Sequence, residues 1–175
     1  GGRLDKLKGG RDADPRQQTL RATIAWSHDL LDRPERELFA RLAVFTGGAT
    51  IEAVEAVCEA DLDVLTSLLD KSLVRRSGER VWMLETIRGF ASEQLSASPA
   101  ADDVRDRHAS YYLAFAESSD SELRGPGQAD ALRRFASERE DLRVAFERLL
   151  ERDPPAALRL VAALWVFWFM SGHFR

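Results

Sequence analysis

LDVLTSLLDKSLVRRSGERVWMLETIRGFASEQL, Leu62 to Leu95, is the stretch whose reading decides the fold. An apolar-periodic helix ends near Lys71. Two β-type runs follow, Leu73 to Arg76 and Val81 to Leu84, with Ser77, Gly78, Glu79 and Arg80 as a polar turn between them. From Glu85, residues Ile87, Phe90, Ala91 and Leu95 recur at helical spacing. Helix, hairpin, helix is the C-terminal half of a winged helix. A two-stranded hairpin is marginal in water by itself, so this one must pack on the helices around it.

Working outward toward the N-terminus, TLRATIAWSHDLL (19–31) reads as a helix with Leu20, Ile24 and Leu31 on one side and Trp26 and Leu30 beside them. Asp32-Arg33-Pro34-Glu35 announces the next helix, because Pro34 suits a first turn and the Asp32-to-Glu35 spacing is that of a capping box. Its apolar face is Leu38, Phe39, Leu42 and Phe45, and Gly47-Gly48 breaks it. Thr50 and Asp61 are natural N-caps for the two helices that follow. Residues 18–98 are thus expected to form the winged helix, with Trp26, Leu42, Phe45, Leu65, Leu69, Ile87 and Phe90 in its core. The glycine- and charge-rich residues 1–17 read as a tail from a preceding element.

Toward the C-terminus, SASPAADD (96–103) is a short linker whose proline cannot continue a helix. Helices are expected over about 101–118, carrying Tyr111, Tyr112 and Phe115, and over about 129–152, with Phe135, Leu142, Phe146 and Leu149 on one face. Asp153-Pro154 starts a last helix. Residues 99–175 then form the start of an α-solenoid, a tetratricopeptide-like array of paired helices. The fold class is mainly α.

The 175 residues are 45% hydrophobic and 31% charged, an ordinary soluble balance, with a formal net charge of −4 that gives no general affinity for nucleic acid or membrane. Cys58, alone of its kind, can form no internal disulfide, which is compatible with a reducing cytoplasm. No signal peptide or spanning run is legible, and a cytoplasmic location is expected. His28, His108 and His173 lack ligand-spaced partners, so no metal site is expected. Ser27-His28-Asp29 are helix neighbours that do not face one another, and no catalytic residues emerge.

RQQTLRATIAWSHDLL (16–31), ERELFARLAVFTGGATIEAVEAVC (35–58), LLDKSLV (68–74), MLETIRGFASEQL (83–95) and RHASYYLAFAE (107–117) resemble, in that order, the large actinobacterial regulators of the STAND ATPase class, related to LuxR-type and SARP-type transcriptional regulators. That resemblance implies an NB-ARC nucleotide-binding module before the winged helix and further helical repeats after it, with ATP or ADP bound by the parent protein. The chain itself contains no G-x-x-x-x-G-K-[ST], so it is expected to hold no cofactor and to hydrolyse nothing alone. The resemblance places Met83, Leu84 and Glu85 where related proteins carry a Met-His-Asp motif near ADP. Leu84 offers no donor there, and Glu85 suits a helix start. Arg16 is a further nucleotide-side candidate on the same ground.

Arg75, Arg76, Arg80 and Arg88 cluster around the wing and are candidates for a phosphate or partner contact. The would-be recognition helix, DLDVLTSLLDK, carries Asp61, Asp63 and Asp70 against Lys71, which opposes binding to DNA. The preferred reading is a non-catalytic regulatory segment that relays nucleotide state to a helical array. A DNA-binding winged helix is the alternative. Leu164, Trp165, Trp168 and Phe169 are expected to leave an apolar patch that pairs with the next repeat, or with a second copy of the chain.

Overall fold

The computed structural model describes residues 15–123 and 125–170, except for the side chains at 15–18, 120, 121, 123, 166, 168 and 170. Of the tail expected over residues 1–17, residues 1–14 lie outside the described residues and 15–17 already belong to the first helix; the side chains of Arg16 and Trp168 also lie outside the described residues. The first unit comprises α1 (Pro15–Asp29), α2 (Arg33–Leu42), β1 (Ala49–Thr50), α3 (Ile51–Cys58), α4 (Leu62–Asp70), β2 (Arg75–Ser77), β3 (Arg80–Trp82) and α5 (Glu85–Ala97). Behind it stand α6 (Ala101–Leu123), α7 (Gln128–Ser137), α8 (Arg139–Arg152) and α9 (Pro154–Met170).

The helix starts are where the capping chemistry puts them. Asp32 and Glu35 exchange reciprocal bonds of 2.9 Å in a full capping box. Thr50 accepts from the Ala53 amide at 3.2 Å, Asp61 from Asp63 at 2.8 Å and Asp153 from Ala156 at 3.2 Å.

The hairpin gains a third strand that the sequence does not announce. β1 pairs antiparallel with β3, Ala49 opposite Val81 and Thr50 opposite Arg80, in a sheet ordered β1-β3-β2. Two residues have no readable period, and Thr50 serves as strand end and helix cap at once. The turn is tighter than the expected four residues: Gly78 and Glu79 form it, and Arg80 sits opposite Ser77 in the ladder. Leu73 and Val74 lie ahead of β2 and are buried.

The expected core holds at Leu42, Phe45, Leu65, Ile87 and Phe90, all buried. Trp26 is a correction, being 65% exposed, with Leu30 and Leu20 also exposed. α1 carries apolar residues on both sides, and it packs on α5 through Ile24 and His28 instead. The His28 ring lies 5.5 Å from Phe39 and 5.4 Å from Phe90, and Arg21 sits over the Phe90 ring. Leu69 is only half-buried, whereas Leu68 is fully buried. Leu69→Ala is therefore expected to cost about 1–2 kcal/mol, below the range of a filled core leucine. A urea midpoint shifted as far as that of Leu68→Ala would contradict this.

Glu35 ties α2 to α4. It is buried, and its carboxylate accepts from Lys71 and Ser67. Lys71, then Ser67, hold its pKa at about 2 against an ordinary 4.5, with burial opposing them. Protonation is thus easier in the unfolded chain. The contribution is complete above 4.5 and drains away as pH falls toward about 2. Lys71 is partly exposed, so screening trims the effect to about 2–3 kcal/mol. Denaturation midpoints of the wild type are expected to fall between about pH 6 and pH 3, and Glu35→Gln to flatten that slope. Parallel slopes would show that other carboxylates drive the acid loss.

In the helical region α6 is the hub, packing against α3, α7, α8 and α9. The expected single helix over 129–152 is interrupted at Glu138 (φ −98°, ψ 6°), which separates α7 from α8. On α9, Leu160, Leu164 and Phe167 are buried, and the Phe167 ring stacks 5.2 Å from Phe135. Leu164 therefore belongs to the core and not to the expected interface patch. Trp165 and Phe169 are exposed on the other side, their rings 6.4 Å apart. No described helix is long and apolar enough to cross a membrane.

Candidate functional site

The chemistry-bearing side chains converge on the seam between the winged helix and the helices behind it. Asp141, on the first turn of α8, is fully buried. It accepts from the Thr46 amide at 2.7 Å and the Gly47 amide at 3.0 Å, both in the loop after α2. His108 of α6 approaches it through Nε2 at 3.1 Å and is itself buried between the Phe45 and Tyr112 rings.

A second pair joins a half-buried arginine to a buried carboxylate. Arg80, on β3, reaches Glu138 at the α7–α8 break and donates to the Gly48 carbonyl at 2.9 Å. Tyr112 donates to the other Glu138 oxygen at 2.9 Å. Burial opposes the Arg80 charge, but Glu138 outweighs it and the guanidinium pKa is raised. Burial, followed by the Asp141 and Glu138 charges, pushes the Tyr112 hydroxyl far up, so it remains a donor. Arg107 adds a 2.8 Å bond from α6 to the Val57 carbonyl of α3.

Asp141 and Glu138 thus each meet partners from the winged helix as well as from α6, which makes the seam a specific joint. Among the described residues His108 hydrogen-bonds Asp141 and no nucleophile, and no described cluster could hold a metal. The Cys58 thiol is buried and burial pushes it up to about 12, which suits a structural role.

Arg80 corrects the sequence-based expectation, because it is a joint residue and not a free wing cation. Arg75 and Arg76 do stand exposed on β2, and Arg76 reaches the Gly78 carbonyl at 2.7 Å. Arg88 pairs with Glu85 at 2.8 Å one turn earlier on α5. Met83 packs partly buried against the core, Leu84 is exposed at the N-cap of α5, and Glu85 opens that helix. Of these three, Glu85 is brought together with one of the four arginines, Arg88. Opposite the wing, α4 presents Asp61, Asp63 and Asp70 to solvent, while Lys71 is taken up by Glu35.

Sequence reasoning missed Glu138, Asp141 and Tyr112, and passed over His108. The signal was present: Glu138, Asp141 and Ala145 fall on the apolar side of Phe135, Leu142 and Leu149, where an acidic residue calls for a buried partner.

Residues 31–96 match the winged helix-turn-helix domain. A Mycobacterium tuberculosis protein that bears the name "Putative HTH-type transcriptional regulator" is 43% identical over 185 residues, covering 97% of this chain and 20% of its own length. A Mycobacterium bovis protein of the same description matches equally. An uncharacterized M. tuberculosis protein is 41% identical over 106 residues, covering 53% of this chain and 26% of its own. The chain spans about a fifth of the length of the regulators it matches. No solved structure matches. Residues 31–96 therefore form a transcription-regulator-like winged helix-turn-helix domain, with α1 ahead of it and α6 to α9 behind.

Proposed function

We propose that this is a non-catalytic regulatory segment of a cytoplasmic transcriptional regulator, in which the winged helix docks on protein and passes changes of state to the helical region. The observation that carries the proposal is the joint in which half-buried Arg80 meets the buried Glu138, beside the buried Tyr112, Asp141 and His108. A displacement of the wing or of the loop after α2 would be felt directly by α6 and α8. On this reading the input is the nucleotide state of an NB-ARC module, as the STAND-class resemblance implies, and the array continues beyond α9 in tetratricopeptide-like fashion. The Trp165–Phe169 face is then where a further helix stacks, or where two copies pair in its absence.

The second reading, direct DNA binding, is favoured by the domain match, by the names of the relatives and by the exposed Arg75 and Arg76. Against it stands the acidic outer face of α4. Fluorescence anisotropy with mixed-sequence duplex DNA at about 50 and 200 mM salt separates the two. The docking reading expects no binding beyond the non-specific range, unchanged by Arg75→Gln with Arg76→Gln. Saturable, steeply salt-dependent binding lost in that double variant would replace it with the DNA reading.

A further inference from the structure

A cleft lined by His108 opens between the winged helix and the helical region. It has a volume of about 210 Å³, and its polar wall is Arg88 and Ser92 of α5, Arg105 and His108 of α6, Arg148 of α8 and Thr46 of the loop after α2. Three guanidiniums from three helices line one cavity, and no carboxylate side chain lines it. We propose that this cleft binds a compact oxyanion of the phosphate-monoester class, bridging the winged helix to the helical region.

The arginines are held in place from outside. Arg88 is braced by Glu85, which is 80% exposed. Arg105 donates to the Ser96 hydroxyl at 3.1 Å and stands 3.9 Å from Asp102. Arg148 reaches Asp106 at 2.6 Å and Asp102 at 2.9 Å. Glu85 and Asp102 are largely exposed, and ion pairs of that kind contribute little, so they orient Arg88 and Arg105 without using up their capacity, while Arg148 is held more firmly by the half-buried Asp106. Asp141, behind His108, is already occupied by the Thr46 and Gly47 amides.

Arg88 and Arg148 turn their Nε–Nη2 edges to Glu85 and to Asp106 and Asp102, which leaves their Nη1 groups and the donors of Arg105 for phosphate oxygens, and the Ser92 and Thr46 hydroxyls add neutral donors. The volume lies below the range of sites for drug-sized ligands, which limits the occupant to a phosphate group with a small substituent. A ligand gripped by α5 on one side and by α6 and α8 on the other would tighten a junction at which α5 and α6 otherwise touch sparingly. The proposal stands whether the winged helix meets protein or DNA.

The test is calorimetric and thermal titration of the chain with inorganic phosphate and with glycerol phosphate, at ionic strength held constant with chloride. One saturable site per chain is expected, with Tm rising by about 5–10 °C at a hundredfold excess over Kd. Arg105→Gln removes a guanidinium with few structural ties and is expected to weaken binding about ten- to a hundredfold with the unliganded Tm unchanged. Backbone amide resonances of Thr46 and Ser92 should shift on titration. Three results would each overturn the proposal: an equal response to chloride, binding indifferent to Arg105→Gln, or tighter binding of succinate than of either phosphate.

Discussion

Asp141→Ala is expected to destabilise the protein by about 3–5 kcal/mol, because it strips the partner from a buried imidazole and from two backbone amides at once. For a chain of this size that is a fall in Tm of about 10–15 °C. Asp141→Asn is expected to recover little, since an amide offers one acceptor oxygen where Thr46 and Gly47 each donate to a different carboxylate oxygen. Glu140→Ala, at the neighbouring exposed position, is the control and should move Tm by no more than a degree or two. Amide exchange makes the test local: protection at Thr46 and Gly47 should collapse in Asp141→Ala while Phe135 on the far side of α7 loses less. A variant melting within a few degrees of wild type would show that the joint is decorative, and the proposed relay would lose its physical basis.

Gly48→Val is the other severe change, at about 2–5 kcal/mol, from backbone strain and steric conflict together. Gly48 has φ +75°, a region that side chains rarely adopt, and a Cβ there would stand 2.8 Å from the Val81 carbonyl oxygen and 2.9 Å from the Trp82 Cβ. The strand β1 must then part from β3, which also displaces the Gly48 carbonyl that Arg80 binds. Gly78 is the internal comparison. It too has positive φ, +59°, but nothing lies within 4 Å of its Cβ position, so Gly78→Ala should cost only about 1–2 kcal/mol. Chemical denaturation of the two variants side by side decides the matter, and equal losses would mean that the close approach at Gly48 relaxes freely.

Both positions lie where local reading of the chain stops. The helix starts were legible, because Asp32, Thr50, Asp61 and Asp153 cap within three residues and need nothing distant. So was the hairpin, whose strands and turn are contiguous. The Gly47-Gly48 pair was legible as a break, but not as the point where a strand only two residues long slots beside β3. Periodicity also named most of the core. It failed at Trp26, since a helix with apolar residues on both sides does not say which side is covered.

The joint was invisible for a different reason. Arg80 and Glu138 are 58 positions apart, and Thr46 and Asp141 are 95 apart. By itself Arg80 is one more wing arginine, and Glu138 one more charge in a helix rich in them. The sequence alone determined most of the elements, their caps and the winged-helix order, because those follow from interactions a few residues long, but not β1 or the break between α7 and α8. Which charges are buried, which are spent on one another and which remain for a partner was decided only by the tertiary structure. A charge can leave water only where a distant partner meets it, and the fold alone brings that partner into place.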